Sequence, residues 1–259
     1  MTRMKNTDKI AFTLAETMIT LAIIGVIAAI TLPSIVQKHK ERVTVTKVKK
    51  AYNIVNQAYL QARAEYGDVT DWFTEDSTTS KDDEGNAILT ESSYANTKTL
   101  WEKLTPYMKV INICYSDDNN CNRSFNRYTL SGVERSISTV TTVELIDGMH
   151  LTGGWITISK CSGQKSYCGD FGVDINGVDN PPNTSGIDMF YFYISPFAII
   201  PFGMPDDETG NTFSDLCLRN SLTAGNNNGY GCTAWVIYNG NMDYLHCDDL
   251  SWDGKHKCN

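Results

Sequence analysis

Residues 12–36 are almost continuously apolar, from Phe12 through Met18-Ile19, Leu21-Ala22-Ile23-Ile24-Gly25-Val26-Ile27 and on to Ile35-Val36. As an α-helix, about 25 such residues span roughly 37 Å, enough for a tilted bilayer crossing. The run is too long for the apolar core of an ordinary cleaved signal peptide, and no Ala-x-Ala site ends it. The pattern then changes without a turn cluster. Val48, Tyr52, Val55, Tyr59, Ala62 and Tyr66 recur at steps of three and four, flanked by Ala51 and Ala58. This spacing predicts one apolar face of an amphipathic helix, ended by Gly67-Asp68. A single helix is therefore predicted from Phe12 to Tyr66. Pro33 removes a backbone donor, which predicts a kink or local melting near Ile30; simple tolerance of the proline is equally open.

Past Tyr66 the pattern is less regular. Residues 68–96 are polar around Asp82-Asp83-Glu84-Gly85-Asn86 and read as an exposed loop. Thr97 to Leu104 reads as a short helix with Leu100, Trp101 and Leu104 on one face and Pro106 beyond it. After Tyr128 the period shifts to two. Val143 to Gly148 and Trp155 to Ile158 predict a hairpin, and Phe171 to Ile175, Met189 to Ile194 and Ala234 to Tyr238 predict three more strands. Strands so closely spaced favour an antiparallel sheet, whose face would cover the apolar side of Val48 to Tyr66. The fold class expected is α+β: a long N-terminal helix, its first half transmembrane, packed on an antiparallel sheet, with a cysteine-rich C-terminal head. No repeats or low-complexity tracts occur.

Composition sharpens this. The 259 residues are 41 per cent hydrophobic with a formal charge of −8, and the charge is unevenly placed. Residues 1–11 hold Arg3, Lys5 and Lys9 against Asp8. Residues 67–259 hold 12 basic and 26 acidic residues, a net of −14 that argues against bulk nucleic-acid binding and favours a soluble surface. Basic residues Lys38, Lys40, Arg42, Lys47, Lys49 and Lys50 cluster just past the apolar run, which by charge alone would keep the C-terminal region cytoplasmic. Cysteine usage opposes that. Cys114, Cys121, Cys161, Cys168, Cys217, Cys232, Cys247 and Cys258 all follow the run, an even set suited to disulfides in an oxidising compartment. No Cys-x-x-Cys occurs, so a zinc ribbon or thioredoxin-type pair is not expected. Sequential pairing is the expected connectivity.

The segment Ala11-Phe12-Thr13-Leu14-Ala15-Glu16 places one carboxylate at the head of the apolar run, where a charge is costly and implies function. With the short basic leader before it, this stretch resembles the processing site of type IV prepilins and of type II secretion pseudopilins: leader, small residue, Phe-Thr-Leu-x-Glu, apolar helix. The resemblance covers about residues 3–36. It implies a leader of residues 1–11, cleavage by a prepilin peptidase between Ala11 and Phe12, and N-methylation at Phe12. Ala11 stands where the family most often has Gly. Residues 12–36 would form the membrane and assembly helix, 37–66 its amphipathic continuation, and 67–259 a periplasmic or extracellular head. Pro33 falls where pilins often carry a helix-kinking proline. The implied partners are other pilin or pseudopilin subunits, the peptidase, an inner-membrane assembly platform and membrane lipid, with the N-terminus cytoplasmic. Glu16 of one subunit would neutralise the Phe12 amine of a neighbour, or of its own chain.

A second constellation is Asp174-Ile175-Asn176-Gly177-Val178-Asp179-Asn180-Pro181-Pro182-Asn183, closing with Gly186-Ile187-Asp188. Oxygen-bearing side chains around a glycine suit a hard cation, which makes Asp174, Asn176, Asp179 and Asp188 candidate calcium ligands. The same residues build ordinary turns, and the EF-hand spacing is not met. The stretch resembles an Asp-x-Asn-Gly…Pro-Asn…Gly-x-Asp-x-Phe segment of some pseudopilin-like proteins. No other cofactor is expected. His246-Cys247 and His256-Lys257-Cys258 offer a weaker metal reading against the disulfide one. Catalytic frames are missing: Ser195 precedes Pro196 outside any Gly-x-Ser-x-Gly context, and His39, His150, His246 and His256 fall in no recognised arrangement. The expected function is a structural filament subunit and not an enzyme; the alternative is a minor pilin or membrane-anchored adhesin whose head recognises a partner.

Overall fold

The computed structural model describes residues 13–81, 87–116, 125–137, 141–161, 167–207, 209–219 and 225–258. The cleavage pair Ala11 and Phe12, and Cys121, lie outside the described residues. The chain divides into two compact units, residues 1–41 and 42–259. Helix α1 (Leu14–Tyr66) contributes to both.

In the first unit α1 is long and apolar enough to cross a membrane, with a mean hydropathy of 2.5 over its most apolar stretch and none of that stretch buried. Large apolar side chains stand open all along it, from Leu14 at 78% exposure to Ile30 at 72%. The expected melting near Ile30 is not found, because α1 is helical without a break through Pro33. Around the proline, hydroxyls bond back into the helix: Thr31 donates to the Ile27 carbonyl at 2.9 Å and Ser34 to that of Thr31 at 3.0 Å.

In the second unit the amphipathic part of α1 buries Val45, Val48, Ala51, Val55, Ala58, Tyr59 and Ala62. Their spacing is the three-and-four pattern read from the sequence. The chain then passes through a 3₁₀ turn (Val69–Asp71), a short hairpin of β1 (Thr79–Lys81) and β2 (Ala87–Leu89), and α2 (Glu91–Leu104). The loop expected over residues 68–96 is thus partly structured. Val69, Trp72 and Phe73 drop into the core, and α2 begins six residues before the predicted Thr97. Then come β3 (Val110–Cys114), β4 (Phe125–Tyr128), β5 (Glu134–Ile137), β6 (Thr142–Leu145), β7 (His150–Ile156), β8 (Gly169–Asp174), β9 (Met189–Ile194) and β10 (Ile199–Pro201). Six of these form one antiparallel sheet in the order β10-β9-β8-β7-β6-β3, while β4 and β5 pair separately.

Alternation across β8 and β9 gives the sheet two apolar faces. Phe171, Val173, Phe190, Phe192 and Ile194 join the α1 core, whereas Met189, Tyr191, Tyr193 and Phe202 form a second cluster behind it. Polar contacts fix α1 on the first face. Tyr59 Oη donates to the Ser195 carbonyl at 2.6 Å, Asn56 Oδ1 accepts from Ile199 N at 3.0 Å, and Tyr52 stacks on Phe192. On the second face Arg127 of β4 is buried, donates to the hydroxyls of Tyr191 and Tyr230, and lies over both rings.

After β10 come α3 (Phe213–Leu216) and α4 (Cys232–Asn239). The strand expected over Ala234 to Tyr238 is therefore a helix. Gly240 in the left-handed conformation ends it, and Trp235 is buried against Phe213. A short, uniformly apolar run satisfies either pattern, and the terminal glycine is the helical signal. Disulfides join Cys161 to Cys168, Cys217 to Cys232 and Cys247 to Cys258, in sequential order as expected. Cys114 is also disulfide-bonded.

Candidate functional site

Two groups of singled-out residues can be built from the geometry. The first is the start of α1. Thr13 precedes the first helical residue. Its backbone N–H donates to Glu16 Oε2 at 2.9 Å and its hydroxyl to the same oxygen at 2.8 Å, while Glu16 N donates back to Thr13 Oγ1 at 3.3 Å. This reciprocal arrangement is a capping box, which satisfies backbone donors that the first turn leaves open. Glu16 thus has a local structural partner in its own chain. The Thr-x-x-Glu spacing is the sequence signal for this cap, whereas the reading from the sequence gives Glu16 the Phe12 amine, of a neighbour or of its own chain, as partner. Phe12, the other half of the expected contact, lies outside the described residues.

The second group is the turn between β8 and β9. The ladder pairs Asp174 with Met189, so Asp174 and Asp188 meet at one end of the sheet. Asp174 is fully buried and Asp188 is 4% exposed. Burial pushes the Asp174 carboxyl up to about 7, reinforced by the neighbouring Asp188 charge and opposed by backbone donors at Asn176 and Gly177 and by Lys47. Burial also raises Asp188, against the pull of the Thr184 and Asn183 backbone N–H groups and the Asn176 side chain. Gly177 takes φ +87° here, and a Cβ would come within 3.0 Å of the Gly148 carbonyl. The sequence glycine is therefore a requirement of the turn. Asn176, half-buried, joins the two carboxylates. Asp179 is exposed, and the further buried side chain is Asn183, at φ +49°. Asn183 ends the stretch quoted from the sequence but is not among its four candidate ligands; its place after Pro181-Pro182 marks a turn, and only the fold brings it back to Asp188.

Other candidates resolve differently. Cys247 and Cys258 are joined to each other, so neither thiolate is available for the His246 and His256 metal reading. His256 Nε2 instead lies 2.9 Å from the Trp252 carbonyl. Among the described residues no three His, Cys, Asp or Glu side chains converge in a way that would hold a metal; the β8–β9 turn combines two carboxylates with two amides. A cavity of about 570 Å³ opens in the C-terminal region between Phe213, Cys217, Arg219, Tyr244, Asp248 and Leu250. Arg219 at its wall is paired with Asp248 at 3.1 Å and donates to the Leu245 carbonyl at 3.0 Å.

Residues 34–201 match a family of unknown function (DUF6613), and the chain belongs to that family. No curated protein and no solved structure matches the chain.

Proposed function

We propose that this member of the DUF6613 family is a structural subunit of a type IV pilus or a type II secretion pseudopilus. The observation that carries the reading is the start of the chain: a basic leader and Ala11-Phe12-Thr13-Leu14-Ala15-Glu16 followed by a helix whose apolar side chains are open on every side. Such a surface needs lipid before assembly and neighbouring helices after it. The α+β head, with a helix on an antiparallel sheet and disulfides in its C-terminal part, is of the kind that reading calls for.

In this scheme the protein enters the inner membrane with its N-terminus cytoplasmic. A prepilin peptidase cuts between Ala11 and Phe12, and the new amine is methylated. Subunits then polymerise through α1 at an assembly platform, into a periplasmic or cell-surface filament. Both Thr13 bonds land on Glu16 Oε2, so Oε1 is the oxygen that a neighbour's Phe12 amine would meet. The protein is not an enzyme in this scheme. A second reading, a minor pilin or anchored adhesin, is favoured by the cavity beside Arg219, which lies beyond the family match.

Mass spectrometry of the mature protein tests the processing step. The expected N-terminus is methylated Phe12; one that begins at Met1 sinks the proposal. Glu16→Ala is expected to lower filament yield at least tenfold while leaving cleavage intact.

A further inference from the structure

The cavity of about 570 Å³ in the C-terminal region has the size of a small-molecule site. Its walls are held in place. Phe213 stacks on Trp235 with ring centroids 4.1 Å apart, and the Tyr244 hydroxyl donates to the Gly186 carbonyl at 2.7 Å, so both rings are anchored away from the space they line. Cys217 and Cys247 on the same wall are fixed by their bonds to Cys232 and Cys258. Leu218 and Leu250 add aliphatic surface. Among the described lining residues Arg219 is the one cation and Asp248 the one anion. Arg219 Nη1 donates to the Leu245 carbonyl at 3.0 Å and Nη2 to Asp248 Oδ2 at 3.1 Å, which uses two of the guanidinium's five donors. The two partners differ in strength of hold. The Leu245 carbonyl is backbone and keeps the guanidinium at the wall. The Asp248 side chain is 65% exposed and that of Arg219 33%, and an ion pair so open to water binds its members weakly. The positive charge at the cavity is therefore fixed, and its present counter-charge is replaceable.

We propose that this cavity binds a small carboxylate with an apolar body of about one ring. The ligand carboxylate takes the place of Asp248 on Arg219, and the body lies between Phe213, Tyr244, Leu218 and Leu250. A guanidinium presents its N–H groups as a fork that matches the two oxygens of a carboxylate. A cationic ligand would have to enter beside Arg219 and meet like charge, and a neutral one would gain nothing from it. The apolar walls supply the rest of the binding through the surface they remove from water. This inference rests on the second reading above, in which the head recognises a partner, and names the chemistry of that site. It does not depend on where the mature chain begins.

The test uses the full-length protein in detergent micelles, with 4-fluorophenylacetate as probe and its neutral isostere 4-fluorophenylacetamide in parallel, each followed by its fluorine resonance. The acid is expected to bind at least about tenfold more tightly than the amide, because only the acid makes charge-assisted bonds to Arg219. Asp248→Asn removes the competing carboxylate and is expected to tighten the acid about threefold. Arg219→Gln is expected to weaken the acid to the level of the amide. Equal saturable binding of acid and amide by the wild type overturns the carboxylate assignment and leaves the cavity as a recognition site of other chemistry. No saturable shift with either probe up to about 10 mM overturns the site, and the second reading with it. A folded Arg219→Gln variant with undiminished affinity for the acid also overturns the proposal. Should that variant fail to fold, the ratio of acid to amide on the wild type decides.

Discussion

At Thr13 and Glu16, two side chains close the first turn of α1 on each other. Thr13→Val keeps the shape and removes the cap, at an expected cost of about 1 kcal/mol to the helix start. Hydrogen exchange in micelles should show faster exchange of the first-turn amides and unchanged exchange past Pro33; equal rates throughout would refute the cap. Asp170 offers a pH test. Half-buried on β8, it pairs with Tyr193 of β9 and Trp155 of β7, and desolvation there raises its carboxyl to about 7 from an ordinary 3.8. Folding therefore takes up a proton between those values. Its contribution is fully present below about pH 3.8 and is lost as pH rises towards 7. Asp170→Asn should be the more stable protein at pH 7.5 and flatten the stability profile from pH 4 to 7, measured by urea unfolding. A variant that parallels the wild type across that range would exclude the shift. Residue-level chemistry was unevenly legible. Thr13-x-x-Glu16 and the Asn-Gly turn could be read from spacing, but the half-burial of Asp170 and the return of Asn183 to Asp188 depend on strand register, which local sequence does not encode.

Among the elements, α2 shows how a sheet irregularity becomes a docking site. The β7–β8 register slips between Thr152 and Trp155, and this frees the Gly153 and Gly154 carbonyls. Trp101 Nε1 donates to the first at 2.7 Å and Thr97 Oγ1 to the second at 2.8 Å. Gly154 holds φ +130°, and a Cβ there would meet Leu100, Thr97 and Trp101 at 3.2–3.3 Å. Gly154→Ala should therefore cost about 2–3 kcal/mol, read by urea unfolding, and a change under 0.5 kcal/mol would show that α2 is not clamped at the bulge. Legibility at this scale followed periodicity. The amphipathic part of α1 and strands β8 and β9 were plain, because long regular patterns survive any tertiary context. Ala234 to Tyr238 was ambiguous because five apolar residues fit both periods. The Trp72-Phe73 anchor was hidden because two aromatics in a polar stretch have no period at all.

Over the whole molecule, the family match ends at Pro201, so α3, α4 and two of the disulfides lie beyond it. Cys217–Cys232 ties α3 to α4 across a separation of 15 residues. Closing such a loop is worth about 3 kcal/mol, so the double variant Cys217→Ser/Cys232→Ser should lower the thermal midpoint by roughly 6–12 °C. Calorimetry checks this, and an unchanged midpoint would mean that aromatic packing alone holds the cap. The fastening of α1 also decides where the head takes up load. Between Lys47 and Tyr59 the helix is tied to the ends of β8 and β9 and to the start of β10, through Ile175, Ser195 and Ile199. Tension drawn along α1 therefore enters the head through these three hydrogen bonds, the Lys50–Asp147 ion pair at 2.6 Å and the Tyr52–Phe192 stack, besides the buried apolar face of the helix.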